Sequence, residues 1–346
     1  MSGSDHFNQM HQRKPAYPVG AHLRQYLVDH GREVRLPVAY ADLLRFDGTM
    51  PVYDDHGRET LWRSVLLRPG ETADMHQRLL DTYQLLIADG RHIGHLVVAG
   101  IDFCAYGNSQ PFRIKVLNAI NDNHDYFYVK RADASRIHGL ELEHLLSPNR
   151  INYLVMGDTI VEEHIIGVPG DVFIADPNRY GGTLNEVRIS KEFVKFNERC
   201  FARLLGDMRA YNFVVDVIHD VDRVQYRIRS IDFDQQCYEG RARIYLPQFY
   251  KENLPYVRLA QRVIGLESVE QYRAEERALL GRRYRLSQGQ IERLVDVLSM
   301  EPMSTPEHIA QLADELGRYH GTQAFRKCAS MGGILGVQLR IMLGLG

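Results

Sequence analysis

The pattern of apolar and polar positions divides the chain into a mixed front part, a β-rich middle and a helical remainder. Residues 1 to about 20 are polar and predict a flexible tail, while residues 21 to about 95 mix helical patterns with short extended pieces. From about 96 to 131 three alternating stretches appear, HLVVAGIDFCAY, PFRIKVLNAI and DYFYVKRA, separated by turn-forming clusters. These stretches predict a small antiparallel meander.

A helix and two further strands follow the meander. The helix has SRIHGLELEHLL as its body and Asp133 or Ser135 as its cap, and the Ser-Pro-Asn sequence at 147 to 149 ends it. INYLV and TIVEEHIIGV predict two more strands, and most of the remaining chain has helical periodicity. At 346 residues, the chain exceeds what one hydrophobic core usually organises. The order of elements therefore predicts an α+β protein of two lobes or domains.

Composition limits which binding partners and which cellular compartment we expect for this chain. Hydrophobic residues at 45% and a formal charge of -2 are ordinary globular values, so no global basic field for nucleic acid or anionic lipid is expected. No stretch approaches the roughly 20 apolar residues that span a bilayer. The cysteines stand far apart without a CxxC pair, which predicts neither a zinc knuckle nor a disulfide framework. We therefore expect a cytoplasmic protein without nucleic-acid or membrane partners.

The strongest chemical signal is LLGDMRAYNFVVDV, followed by YRIRSIDFDQQ. Asp207 stands five residues before Asn212, and Asp232 ends a β-like run twenty residues after that asparagine. Phosphoryl transfer requires one carboxylate to orient the attacking hydroxyl, and an oxygen ligand with a second carboxylate to hold Mg²⁺. The three residues fit these roles. The alternative is that Asp207 and Asn212 only cap or brace a turn.

This arrangement resembles the catalytic loop and metal-binding aspartate of the protein-kinase-like superfamily. Its Gly-Asp opening and Ile-Asp ending are closer to aminoglycoside and choline phosphotransferases, or to HipA-like kinases, than to eukaryotic protein kinases. It departs from them at Leu205, where a histidine would precede Gly-Asp, and at Asp234, which replaces a glycine. The resemblance implies ATP and Mg²⁺ as ligands, with Asp207 as base or orienting group and Asn212 and Asp232 on the metal. Whether Asp234 joins the metal site stays open.

Lys130 supplies an independent upstream match, because it ends the alternating stretch YFYVKRAD. In this superfamily such a lysine contacts the ATP phosphates when a glutamate from the next helix holds it. That helix offers Glu141 and Glu143. At 100° per residue, Glu141 falls within the apolar arc beside Ile137 and Leu145, whereas Glu143 points away. A lone carboxylate on an apolar face is costly unless paired, so Glu141 is the predicted partner of Lys130. The alternative is that both are surface residues.

Two further segments are similar to nucleotide-binding parts of these kinases. YGNSQPFR takes the place of a glycine-rich loop and is similar to the phosphate loop of HipA-like kinases, so Gly107, Asn108 and Ser109 would present N–H groups and a hydroxyl to phosphates. An ordinary hairpin turn is the alternative. TIVEEHIIGVPGDVFI resembles the hinge strand between the lobes, where backbone groups from Glu163 to Ile165 would meet adenine.

The resemblance implies a bilobal kinase-like fold, with a small antiparallel β lobe at about 96–166, a larger helical lobe at about 167–346 and an N-terminal extension at 21–95. The expected activity is transfer of the ATP γ-phosphoryl group to a hydroxyl of a small molecule or protein. One alternative is a pseudokinase or scaffold, favoured by the missing loop glycines and the IDFD sequence. Another is nucleotidyl transfer on the same fold. The acceptor is not evident from the sequence.

Overall fold

The computed structural model describes residues 14–345 except 55, 107, 181, 182, 221 and 222. It is a mixed α/β protein with a large antiparallel sheet and a helical C-terminal part, which confirms the predicted mixture of strands and helices. The large sheet contains strands β1 (Gly48–Tyr53), β2 (Glu59–Leu66), β3 (Leu96–Phe103), β4 (Phe112–Asn118), β5 (His124–Arg131), β6 (Tyr153–Met156) and β7 (Thr159–Glu163). Its strand order is β1-β2-β3-β4-β5-β7-β6.

The predicted meander at about 96 to 131 corresponds to β3, β4 and β5, which pair in sequence as antiparallel neighbours. The strands β1 and β2, from the segment predicted as an N-terminal extension, continue the same sheet through the pairing of β2 with β3. Residues 14–20 of the predicted tail pack against the rest of the chain: Lys14 forms an ion pair with Asp133 at 3.1 Å, and the Tyr17 N–H donates to the same carboxylate.

Helices make up most of the C-terminal part. The helices are α1 (Ala21–Asp29), α2 (Tyr40–Leu43), α3 (Thr72–Ala88), α4 (Ala134–Leu146), α5 (Gly170–Ala175), α6 (Glu186–Arg203), α7 (Leu254–Val263), α8 (Leu266–Leu286), α9 (Gln288–Met300), α10 (Pro306–His320) and α11 (Met331–Leu343). Helices α2 and α3 pack on the large sheet. A second, three-stranded sheet contains β8 (Val168–Pro169), β9 (Phe213–Asp220) and β10 (Arg223–Ser230), in the order β10-β9-β8. Within the described residues, no helix is long and apolar enough to cross a membrane.

Alternate side chains of β5 point to opposite faces of the large sheet, and one of these faces packs into an apolar core. Phe127 and Val129 are fully buried in an apolar cluster that also contains Leu79 of α3. Successive side chains of a strand point to opposite faces, so Tyr128 and Lys130 project from the other side. The sheet thus supplies a rigid base from which Lys130 projects away from this cluster.

Helix α4 begins where the sequence predicts. The Asp133 side chain accepts a hydrogen bond from the Arg136 N–H, which identifies Asp133 rather than Ser135 as the cap. Glu141 is fully buried, as its place in the apolar arc predicts. The prediction that Glu143 points away from the core is wrong, because Arg203 of α6 packs on that side and forms a buried ion pair with it.

Candidate functional site

A cavity of about 430 Å³ has residues from both sheets in its wall. It brings together most of the side chains that the sequence predicts for a nucleotide site, namely Asn108, Ser109, Lys130, Glu163, Ile165, Asn212 and Asp232. Asp207 and Glu141 do not line this cavity, and Gly107 lies outside the described residues. Segments more than a hundred residues apart in sequence therefore meet at one concave surface.

Lys130 is held by Glu162 and not by the predicted Glu141. Its Nζ donates to Glu162 Oε2 at 2.7 Å, and the lysine is only 7% exposed. The strand register explains this pairing: Glu162 on β7 stands directly opposite Tyr128 on β5, and Lys130 is two residues further along the same face. Burial is the largest influence on Lys130 and, with the nearby Arg136, lowers its pKa below the ordinary value despite Glu162.

Glu141 instead stabilises the helical part of the chain. Its carboxylate accepts hydrogen bonds from Tyr26 at 3.2 Å, Tyr153 at 2.5 Å and Gln290 at 3.1 Å, and forms an ion pair with Arg32 at 3.3 Å. A carboxylate on this apolar face requires partners, and they come from α1, β6 and α9 and from Arg32. Glu141 therefore has a structural role in α4.

Arg136 is the residue that the sequence pattern did not single out. Its Nε and Nη2 donate to the two carboxylate oxygens of Glu162, while Nη1 donates to Asp234 at 2.9 Å and to Asp232 at 3.2 Å. The helical periodicity that identified Glu141 also applies here, because Arg136 is one turn before Leu140 on the apolar stripe. A charged residue at that position requires buried partners, and this signal could have found it.

The charges of this cluster are strongly coupled. Burial by itself would raise the pKa of Glu162, but Arg136 and then Lys130 outweigh it and hold that pKa at about 2. Burial likewise opposes the charge of Arg136, yet Glu162 and Asp234 raise its pKa well above the ordinary value. Each charge of the cluster therefore has a partner of opposite charge 3.2 Å away or less.

Asp207 and Asn212 are joined by a compact turn. Asp207 has a left-handed backbone with φ of 55°, and Asn212 Nδ2 donates to its carbonyl oxygen at 2.8 Å and to its Oδ2 at 3.3 Å. Arg209 Nε donates to Oδ1 of the same carboxylate at 2.7 Å. Asp207 and Asn212 thus brace this turn, as the alternative interpretation of their spacing predicts. Because the amide nitrogen is used in this way, the amide oxygen is the atom that Asn212 can offer to a cation.

Asp232 is the more accessible carboxylate at the end of β10. Its side chain is 32% exposed, and its Oδ1 accepts from the Asp234 N–H at 2.9 Å. Burial, and then the neighbouring Asp234 carboxylate, raise the pKa of Asp232 above its ordinary value, although Arg136 opposes them. Asp207 acts in the same direction. A carboxylate in this environment is stabilised by any further cation that reaches it.

The residues present fit a magnesium–nucleotide complex better than a protein-only metal centre. No group of three or more histidine, cysteine, aspartate or glutamate side chains suited to a metal occurs among the described residues. Mg²⁺ is commonly bound through one or two carboxylates together with substrate phosphates and water. Asp232, the more exposed of the two aspartates in the cavity wall, and the Asn212 amide oxygen can meet this requirement.

The segment predicted to contact adenine forms one wall of the cavity. The N–H groups of Glu163 and His164 donate to the carbonyls of Asn152 and Tyr126. The Ile165 N–H, by contrast, has no hydrogen-bond partner within the described part of the chain. Tyr128 and His164 also line this wall, with Tyr128 Oη and His164 Nδ1 at 3.1 Å. A wall with ring side chains and one open backbone donor suits a planar base.

The loop predicted to contact phosphates is described only in part. Asn108 and Ser109 line the cavity, and the Ser109 carbonyl accepts from the Arg131 N–H at 3.2 Å at the end of β5. This contact ties the loop to the strand that carries Lys130, so the two predicted phosphate-binding elements are adjacent.

Comparison with known proteins gives no family for this chain: no protein-family model matches it, and no curated protein matches its sequence.

Proposed function

We propose that this chain is an ATP-dependent phosphotransferase with a bilobal, kinase-like arrangement. The observation that carries the proposal is the meeting of Lys130, Asn212 and Asp232 at one cavity, since these residues come from distant segments with different sequence patterns. A chance Asp-to-Asn spacing would give no reason for a strand lysine to line the same cavity. The cavity volume of about 430 Å³ is also within the range of small-molecule sites.

The residues of the cavity have complementary roles in this proposal. The Lys130 ammonium contacts the phosphates, and Glu162 keeps it in place through the 2.7 Å ion pair. Asn212 and Asp232 hold Mg²⁺, which would neutralise charge on the phosphates when bound. The backbone from Glu163 to Ile165 lies along the base. Most of the rate enhancement would then come from positioning and electrostatic stabilisation.

Asp207 orients the hydroxyl acceptor in the same proposal. Its carboxylate is bonded to Asn212 and Arg209, so it is fixed beside a proposed metal ligand. About a third of its side chain is exposed, which leaves room for an acceptor to approach. The acceptor is a hydroxyl compound or protein side chain.

A nucleotide-binding scaffold without turnover is the second candidate. The observation that favours it is the contact of Arg136 with both Asp232 and Asp234, because a resident cation competes with Mg²⁺ for these carboxylates. The two candidates share ATP binding and differ in catalysis.

Thermal-shift titration and a turnover assay separate these candidates. We expect Mg-ATP to raise the melting temperature of the wild type, and Asp232→Ala to abolish that rise. Slow ATP turnover that disappears in Asp207→Ala supports the phosphotransferase, whereas a thermal shift without any turnover supports the scaffold. A wild-type chain with no response to Mg-ATP would contradict both.

A further inference from the structure

The guanidinium of Arg136 lies between the two aspartates at the end of β10. A single nitrogen, Nη1, donates to Asp234 Oδ1 at 2.9 Å and to Asp232 Oδ1 at 3.2 Å. Bridging of two carboxylates by one positive group is the arrangement that a divalent cation would otherwise provide. The Arg136 side chain is 3% exposed, so water does not screen this charge.

Arg136 is fixed in this position from several sides. Two of its nitrogens form a fork with both oxygens of Glu162, and Nη2 also approaches the Ile231 carbonyl at 3.4 Å. Its own N–H is bonded to the Asp133 cap in the first turn of α4. Movement of the guanidinium out of the cluster would leave buried carboxylates without compensation, which is strongly unfavourable.

The two aspartates differ in their access to the cavity. The Asp234 side chain is 8% exposed and the Asp232 side chain 32% exposed. We propose that Arg136 permanently occupies the place of a second divalent cation between Asp232 and Asp234, so that the site takes a single divalent cation, on Asp232 and Asn212. The inference rests on the metal role proposed above for those two residues.

The charge of the cluster gives the proposal a measurable consequence. Counted by formal charge, Lys130 and Arg136 supply two positive charges against the three carboxylates of Glu162, Asp232 and Asp234, which leaves one net negative charge. Replacement of Arg136 by a neutral side chain leaves two net negative charges and an empty place between the aspartates. That place then attracts a second cation.

Binding of Mn²⁺ to the full chain, followed by electron paramagnetic resonance without nucleotide, tests this consequence. We expect the wild type to bind one Mn²⁺, and Arg136→Gln to bind a second ion with total affinity raised roughly tenfold or more. The proposal is overturned if a folded Arg136→Gln chain binds the same number of ions with unchanged affinity.

A pair of isosteric variants keeps the test decisive if Arg136→Gln does not fold. Asp234→Asn retains Arg136 and should weaken Mn²⁺ binding only modestly, through the loss of one nearby negative charge, because Arg136 and not a metal holds Asp234. Asp232→Asn should lose Mn²⁺ binding. Equal loss in both variants would show that Asp234 is itself a metal ligand and would overturn the proposal.

The same measurements distinguish failure of this inference from failure of the proposed function. A chain that shows the Mn²⁺ pattern but never binds Mg-ATP would refute the phosphotransferase and leave the role of Arg136 intact. A wild-type chain that binds Mg-ATP together with two Mn²⁺ ions would refute the role of Arg136 alone.

Discussion

At the scale of single residues, Lys130 and Glu141 have separate tasks although the sequence predicted them as a pair. We expect Lys130→Met to weaken Mg-ATP binding by about tenfold or more, because the proposed charge-assisted contact with phosphate is lost. Its unfolding free energy should change little, since Glu162 keeps its two bonds to Arg136. Isothermal titration calorimetry and urea unfolding measure the two quantities.

Glu141→Gln is the matched control with the opposite expectation. It removes the charge that Arg32 compensates and leaves an amide NH₂ facing donor groups, so the unfolding free energy should fall by about 1–3 kcal/mol. Mg-ATP affinity should stay at the wild-type value, because Glu141 does not line the cavity. A loss of affinity as large as that of Lys130→Met would restore Glu141 as the functional partner.

The buried His138 on α4 should make the free energy of unfolding depend on pH. The residue is fully buried, and its ring nitrogens have no hydrogen-bond partner within the described structure. Burial lowers the pKa of His138 from 6.5 to about 3. Below pH 6.5 the unfolded chain binds a proton at this histidine, whereas the folded chain does not. The free energy of unfolding therefore falls by up to about 1.4 kcal/mol per pH unit as the pH drops from 6.5 toward 3.

Urea unfolding at about pH 7.5 and about pH 5 tests this expectation. The wild type should lose more stability between the two conditions than His138→Leu. Glu162 has a pKa of about 2, compared with an ordinary value of 4.5, so it lowers the free energy of unfolding only at a lower pH. Its contribution is the same in both proteins. Identical pH profiles for the two proteins would contradict the assignment.

At the scale of elements, the start of α5 fixes the turn that carries Asn212. A Cβ on Gly170 would lie 2.2 Å from Phe213 Cε2 and 2.6 Å from the Ala210 carbonyl oxygen. Gly170→Ala should therefore displace this turn, lower the unfolding free energy by about 1–3 kcal/mol and weaken Mn²⁺ binding. Differential scanning calorimetry and Mn²⁺ titration measure both effects.

Gly289 of α9 offers a control for the same chemical change. A Cβ on Gly289 would meet no heavy atom within 4 Å, so Gly289→Ala should stabilise the helix by up to about 1 kcal/mol without affecting metal binding. If Gly170→Ala behaved like Gly289→Ala, the close packing at α5 would not position Asn212.

The elements themselves were largely predictable, whereas their partners were not. Alternation located β3, β4 and β5, and the Asp133 cap located the start of α4. Both signals are local. The pairing of Lys130 with Glu162 depends instead on the register between β5 and β7, which are separated by a helix and a strand. Periodicity identified Glu141 as inward-facing but cannot show which side chains arrive from other segments.

At the scale of the whole molecule, the chain segment at 14–20 stabilises the start of α4. Lys14 is buried against Asp133, and the Ala134 N–H donates to the Tyr17 carbonyl at 2.8 Å. Removal of residues 1–20 should lower the unfolding free energy by about 1–3 kcal/mol more than removal of residues 1–13. Thermal unfolding of both truncated chains makes the comparison, and equal melting temperatures would contradict it.

The four contacts of Glu141 have a consequence for regulation. They tie the middle of α4 to α1, β6 and α9, so a swing of this helix would break several buried bonds at once. Arg136 is on the same helix and shares that rigidity. In the proposed phosphotransferase, no rotation of α4 would therefore be needed to assemble the site. We therefore expect nucleotide to bind to the proposed site in a single kinetic phase.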